Sequence, residues 1–392
     1  MKFPRPSFLL LLAAGLCAAL PARATEKLAD GIYAEFTTPR GAFLAELYYE
    51  KVPMTVASFV GRAEGTLAPR DGKPFFTGLK WYRVVPNFVL QSGDPTNPGG
   101  GIQSRPPQKP EDEAYGHALP FPDEIAPGLH HDTAGMLSMA NAGPDTNSSE
   151  FFVTLRETNR LNYLHSVFGR VIRGLEVLPL VQPNDSLAIR ILRVGAAARD
   201  FKADETAFAA LVAQAGRYTG PAEPGPAAPF ADPDKILPQD VPRAKNFNFK
   251  LANFERFTGR KIRARVFKAF KPETEGQKLG QFNSALARQL GVEPGGVLVS
   301  YFADLDQWVV WIGESWLPGF MGRDGSREEF LAGDGLMRRK QELFTAAKAR
   351  AAEAAARQRA EGREVSDAQL LKLTVDEVLD ALILLYEPKS KP

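Results

Sequence analysis

Between Gly31 and Val194 the apolar residues come only in brief runs, at Leu79 to Leu90, Gly135 to Ala140, Phe151 to Leu155 and Val167 to Ile172, each broken by Gly, Pro, Asn and Asp clusters. Runs that short are strands with irregular connections, so the spacing predicts an all-β barrel or sandwich. From Gly31 to Leu47 the pattern alternates, with Ile32, Ala34 and Phe36, then Ala42, Leu44 and Glu46 on one parity, and Thr38-Pro39-Arg40-Gly41 as the turn of a hairpin. Pro53 opens a stretch in which Val52, Val56, Phe59 and Val60 recur at helical spacing, ending at Gly61 or Gly65. Arg173 to Val181 reads as a second short helix, and residues 187–194, LAIRILRV, alternate like a closing strand.

The rest of the chain is organised differently. Residues Asp200 to Gly216 make one amphipathic helix, with Phe201, Phe208, Leu211 and Val212 on its apolar side. Seven prolines then fall between Tyr218 and Arg243, at 221, 224, 226, 229, 233, 238 and 242, which reads as a stiff, extended linker. Beyond Phe247, RKIRARVFKAF is a strand, Gly276 to Leu290 a helix, and GGVLVSYFADLDQWVVWIGE two strands turning at Asp304 to Asp306, an α/β order. An Ala-, Arg- and Glu-rich helix runs from Arg338 through Arg363, followed by an amphipathic segment from Ser366 to Leu385. Trp308, Trp311 and Trp316 read as core, with an exposed aromatic surface as the alternative.

At the N-terminus, Lys2 and Arg5 precede an apolar run from Phe8 to Leu20, and Ala22-Arg23-Ala24 supplies a small-x-small cleavage pattern. Residues 1–24 are therefore expected to be a signal peptide, and the product exported. The apolar run has 13 residues, short of a membrane span, and no later stretch approaches that length, so no membrane span is expected. The only cysteine, Cys17, lies inside the cleaved segment, which excludes thiol or disulfide chemistry in the mature chain. Three of the basic residues, Lys2, Arg5 and Arg23, go with it; the formal net charge of +2 becomes −1, which argues against nucleic acid or anionic membrane as a partner.

Two segments carry the chemistry: WYRVVPNFVLQSGD, residues 81–94, and GMLSMANAGPDTNSSEFFVTL, residues 135–155, followed by LHSVFGRV at 164–171. Arg83 stands among Val84, Val85, Phe88, Val89 and Leu90, where a guanidinium must find an ion-pair partner or face a groove. Strand alternation puts Phe151 and Phe152 on opposite faces, so only one can line a groove. His165 reads either as a packed histidine or as a groove wall, whereas His117, His130 and His131 have no ligand-like spacing and read as surface or structural.

In these segments the sequence resembles the cyclophilin-type peptidyl-prolyl cis/trans isomerases, over roughly Gly31 to Val194. The resemblance implies an eight-stranded antiparallel barrel capped by two helices, with a peptide groove on its outer face. It implies that Arg83 is the catalytic donor to the substrate prolyl nitrogen. It further implies that Phe88, Val89, Phe152 and Leu161 form a proline pocket walled by His165, and that Gln91, Ala140 and Asn141 meet the peptide backbone. The substrates implied are proline-containing polypeptides, and no metal, nucleotide or other cofactor is needed.

Three positions depart from the family pattern. Glu150 stands where Gln is usual, adding a carboxylate to the substrate-binding set that is expected to lie near Arg83 and to compete for it. Arg160 replaces a frequent Trp associated with cyclosporin, so weak cyclosporin binding is expected; Val89 replaces a frequent Met. The glycine-rich Asn97 to Gly101 lacks the following helix and Lys-Ser/Thr of a phosphate loop. Asp304 and Asp306 read as an acidic hairpin turn, and the C-terminal order of elements is faintly similar to TPM-type domains of exported bacterial proteins. The expected layout is a signal peptide (1–24), an isomerase domain (25–198), a helix with a Pro-rich linker (199–246), and a smaller α/β domain with long C-terminal helices (247–392). The expected activity is prolyl isomerisation assisting protein folding in the cell envelope, probed against a catalytically weak binding or scaffold module.

Overall fold

The computed structural model describes residues 27–68, 72–95, 120–239, 243–293 and 295–389. The expected signal segment, the 97–101 glycine stretch and His117 lie outside the described residues. The first hairpin pairs β1 (Gly31–Thr38) with β2 (Gly41–Leu47) in the register Ile32↔Leu47, Ala34↔Ala45 and Phe36↔Phe43. Pro39 and Arg40 form a two-residue turn, fixed by Thr38 Oγ1, which donates to Gly41 O and accepts from the Arg40 N–H, both at 3.0 Å. Inward residues on β2 are therefore Phe43, Ala45 and Leu47, not the Ala42, Leu44, Glu46 parity, because the turn length sets which face pairs with Phe36.

Six further strands follow: β3 (Arg83–Val85), β4 (Val89–Ser92), β5 (Met136–Met139), β6 (Phe151–Thr154), β7 (Val167–Arg173) and β8 (Ala188–Val194). All eight are joined antiparallel in the order β3-β4-β6-β5-β7-β2-β1-β8, the eight-stranded architecture expected. The two edges meet just before β3 and β8, where Leu187 N donates to Leu79 O (3.1 Å) and Trp81 N to Asp185 O (3.0 Å), so the sheet closes into a barrel. Its interior is aromatic: Phe36 stacks on Phe43 at 4.6 Å, and Phe151 meets Phe59 and Trp81 edge-on at 5.3 and 5.8 Å.

The cap α1 (Pro53–Glu64) starts with Pro at its first turn and has no side-chain cap of its own. Its free N–H groups at Met54 and Thr55 donate instead to the distant Glu124 carboxylate, at 3.1 and 2.7 Å. The second short helix read from Arg173 to Val181 is Leu175–Leu180, of the 3-10 type, because Pro179 lacks the N–H that an α-helix would use there. After a short α2 (Ala196–Asp200), the helix expected over 200–216 is α3 (Glu205–Gln214), started later by Asp204, which accepts from Ala207 N at 2.9 Å. Helix α3 packs on the barrel side rather than joining the connector: Phe208 contacts Phe121 edge-on at 5.5 Å, and Leu211 and Val212 pack against the same core.

The proline-rich stretch is docked. Its residues Phe230–Ala231 form β9, a buried edge strand, and the Arg265 side chain donates to Pro226 O (2.7 Å) and Pro229 O (3.2 Å). Next come α4 (Arg243–Thr258), β10 (Ile262–Phe267), α5 (Leu279–Gln289), β11 (Val297–Phe302) and β12 (Gln307–Ile312), in a sheet ordered β12-β11-β10-β9. Strands β9, β10 and β11 are parallel and β12 antiparallel, the α/β order expected. The β11–β12 turn is acidic for local reasons: Asp304 accepts from Phe270 N at 3.1 Å, and Asp306, at φ 45°, accepts from Tyr301 and Lys348. Trp308, Trp311 and Trp316 are half-buried; Trp308 stacks on Phe344, and Trp316 meets Tyr386 tilted at 4.5 Å.

Short helices α6 (Leu317–Met321) and α7 (Arg327–Ala332) lead to a long hairpin, α8 (Gly335–Ala360) and α9 (Asp367–Tyr386). Ala347, Ala351 and Ala355 at helical spacing are fully buried on α8, letting α9 approach closely. The two halves of the chain share a seam that includes polar groups. Tyr163 and Ile125 from the barrel side lie in the second core, Arg256 pairs with Asp145 at 2.9 Å, and Asn253 donates to Tyr163 O at 3.0 Å.

Candidate active site

One rung of the barrel sets the site. Register places Arg83 opposite Gln91, Gln91 opposite Phe152, and Phe152 opposite Ser138, so these four residues of β3, β4, β6 and β5 share the outer face. The next rung, Val84, Leu90, Val153 and Leu137, turns to the core. The alternation between Phe151 and Phe152 is thereby decided: Phe151 is in the barrel interior and Phe152 outside it.

Phe152, Val89 and Ala140 form a separate small apolar cluster, against which the half-buried Phe88 and Leu161 pack. All the residues expected to line a proline pocket therefore meet, together with His165, whose ring stands edge-on to Phe152 at 5.5 Å. His165 Nδ1 lies 3.0 Å from Met139 O, which can only accept, so that nitrogen carries the proton. Burial lowers its pKa to about 4, which keeps the ring neutral. It is both of its two readings at once, a packed histidine and a wall of the slot.

Arg83 is exposed at the edge of this cluster; its Nη1 donates to Gln91 Oε1 at 2.9 Å, and its guanidinium carbon lies 5.9 Å from the Phe88 ring. Glu150 does not compete for it. The carboxylate is buried, and its Oε2 accepts from Gln91 Nε2 at 3.1 Å and from the Tyr82 hydroxyl. The competition expected from sequence fails because the Gln91 side chain lies between the two charges. The consequence is a relay in which Glu150 and Tyr82 hold the Gln91 amide with its oxygen toward Arg83. Burial, with a smaller contribution from Asp94, raises the Glu150 pKa to about 7, while Tyr82 and Gln91 oppose the rise.

Asn141 lies apart from the apolar cluster, beyond Ala140, with its Nδ2 donating to Leu164 O at 2.8 Å. His131, read from sequence as surface or structural, is structural. It is fully buried and stacks on Phe152 at 5.7 Å and 15°, behind the slot. Its Nδ1 contacts Asn162 Oδ1 at 3.0 Å and its Nε2 contacts Ser138 Oγ at 2.9 Å; with the amide oxygen as acceptor, Nδ1 carries the proton and Nε2 accepts. Burial lowers its pKa to about 3. Its position behind the slot was not legible, since Asn162 and Phe152, which hold it there, come from farther along the chain.

Residues 33–192 match the family described as cyclophilin type peptidyl-prolyl cis-trans isomerase/CLD. Over 143 residues the chain is 43% identical to peptidyl-prolyl cis-trans isomerase-like 1 of Aspergillus fumigatus, covering 36% of this chain and 77% of that one. It is 46% identical over 143 residues to peptidyl-prolyl cis-trans isomerase ppi1 of Schizosaccharomyces pombe, covering 36% and 80%. To the probable peptidyl-prolyl cis-trans isomerase A of Mycobacterium leprae it is 38% identical over 154 residues, covering 38% and 77%. With the closed eight-stranded barrel and its outer apolar slot, these likenesses show that the chain belongs to the cyclophilin-type peptidyl-prolyl cis-trans isomerase family.

Proposed function

We propose that the chain is an exported prolyl isomerase that assists folding of proline-containing polypeptides in the cell envelope, in a periplasmic setting, with Arg83 as its catalytic donor. Export and compartment rest on the charged, apolar and small-residue pattern of residues 1–24 and on a mature chain without cysteine. Among the described residues no helix is long and apolar enough to cross a membrane.

The X-Pro bond resists rotation by about 18–20 kcal/mol because the nitrogen lone pair is delocalised into the carbonyl. In the twisted state that lone pair is localised and the nitrogen becomes a better acceptor. A guanidinium at the slot's edge donates to it more strongly in that state than in the planar one, which is the condition for catalysis. The apolar walls from Phe88, Val89, Phe152 and Leu161 hold the ring while the rest of the chain turns, with Gln91, Ala140 and Asn141 engaging the backbone. Lowering the barrier by about 7 kcal/mol would accelerate exchange about 10⁵-fold. A charge-assisted hydrogen bond held in place beforehand by Gln91 supplies part of this, and desolvation by the slot supplies more. Arg160 in place of the family's Trp supports weak cyclosporin affinity.

The observation that carries this reading is Arg83 on the same outward rung as Phe152, with its guanidinium fixed by Gln91. A protease-coupled isomerisation assay on an Ala-Pro-Phe peptide is the test. Arg83→Ala is expected to lose about 10²-fold or more in kcat/KM, as when a positioned donor is removed. A wild-type rate equal to buffer, with Glu150→Gln restoring turnover, would instead favour a peptide-binding module.

A further inference from the structure

The helical hairpin of the C-terminal half reaches the slot. Helix α9 packs on the turn Asn159–Leu161, which carries Arg160 and the slot residue Leu161. At the end of α8 and just beyond it, Gln358, Glu361 and Arg363 face the β3–β4 turn across a cavity of about 420 Å³, whose barrel side includes Phe88, Arg156 and Arg160. Phe88 is shared between this cavity and the apolar slot. At the other side of the slot, His165 and Asn141 border a second cavity, of about 240 Å³, closed by Asn246, Phe249 and Asn253 of α4. Phe88 and His165 thus border the two cavities that flank the slot.

Charge distinguishes the two exits. The cavity at Phe88 is lined by three guanidinium groups, Arg156, Arg160 and Arg363, and one carboxylate, Glu361. Arg160 lies over the Phe88 ring at 4.6 Å, and Arg156 donates to Asn87 O, which holds the turn. Within this lining Arg363 pairs with Glu361, leaving guanidinium in excess over carboxylate; farther along the hairpin Arg350 pairs with Glu377 at 2.7 Å and Arg357 with Glu353 at 3.9 Å. Burial together with Arg357 and Arg363 pushes the Arg156 guanidinium below its ordinary range. The exit past α4 carries no Arg, Lys, Asp or Glu in its lining.

We propose that the C-terminal hairpin completes the substrate groove and selects polypeptides with an acidic residue on the one flank of proline that leaves over Phe88. This rests on the isomerase reading of the slot and adds its substrate class. Guanidinium groups on both sides of a cleft suit a carboxylate, which can accept from two of them in the plane of its oxygens.

The experiment uses the full chain and proline peptides carrying Glu, Ala or Lys two residues before or two residues after proline, read by turnover and by fluorescence anisotropy. At about 0.05 M salt the Glu peptide should exceed its Lys counterpart about fivefold in kcat/KM and in affinity, on one flank only. The ratio should fall toward one at about 0.5 M salt. Arg363→Glu should abolish or invert the preference while leaving the Ala peptide unchanged, and Arg363→Lys should keep it. Equal Glu and Lys peptides on both flanks, or a preference that survives Arg363→Glu, would overturn the proposal. Selective binding without turnover of any peptide would instead remove the isomerase reading and leave the acidic selectivity standing.

Discussion

At the scale of single residues, the site depends on one substitution within the family pattern. Glu150 is buried, accepts from Tyr82 and Gln91 through one oxygen, and has no hydrogen-bond partner for the other. Burial raises its pKa from 4.5 to about 7, so the folded protein holds this proton more tightly than the unfolded chain does. The stability associated with that proton is present below pH 4.5 and is lost as pH rises through about 7. Glu150→Gln removes the titration, so its stability relative to the native chain should increase between pH 5 and pH 8 by up to about 3 kcal/mol. Denaturant midpoints of both proteins at the two pH values measure this; an unchanged difference would refute it. The presence of an extra carboxylate was legible in the sequence, but its partner was not. Which group it touches depends on the rung that places Gln91 between it and Arg83.

At the scale of elements, the strands were legible because short apolar runs between Gly and Pro clusters leave few alternatives. Where hydrogen-bonding detail decides, sequence was less complete: the turn at Pro39-Arg40 fixed the inward face of β2, and Pro179 set the type of the second short helix. Glycine enters once with force. Gly93 ends β4 at φ +99°, and a Cβ there would lie 2.3 Å from Ser149 O, so only glycine lets β4 close on the loop that carries Glu150. Adjacent residues of β6 have separable roles. Phe151→Ala opens the aromatic barrel core and should lower stability by about 3–5 kcal/mol. Phe152→Ala removes a wall of the outer slot and should weaken peptide binding with a smaller loss of stability. Thermal unfolding of the two variants beside peptide titrations separates them; an equal stability cost would contradict the division.

At the scale of the whole molecule, the two halves are joined by groups that need one another. Asp145 accepts from Arg256, from Tyr218 N at 2.6 Å and from Asp123 N at 3.0 Å, while Glu387 reaches His130 at 2.7 Å and accepts from the Tyr163 hydroxyl. Hydrogen bonds to charged groups contribute about 1.5–3 kcal/mol each, and a buried group left without its partner costs more than the bond contributed. The seam should therefore couple the unfolding of the halves. Trp81 lies in the barrel core and Trp308, Trp311 and Trp316 lie in the C-terminal half, so tryptophan fluorescence reports both. Native protein is expected to unfold in one denaturant transition, and Asn253→Ala with Arg256→Ala in two. A single unshifted transition in the double variant would show that the seam contributes nothing to coupling.

What the sequence determined by itself is what local chemistry can specify: the strands, the first helix, the proline break, and the pocket-forming residue types in two motifs. Tertiary structure alone decided that the proline-rich stretch docks as an edge strand, that His131 stands behind Phe152, and that a distant helical hairpin borders the slot. Periodicity and turn chemistry act over a few residues, whereas these three outcomes depend on surfaces brought together from far along the chain. Their complementarity exists only once both sides are folded.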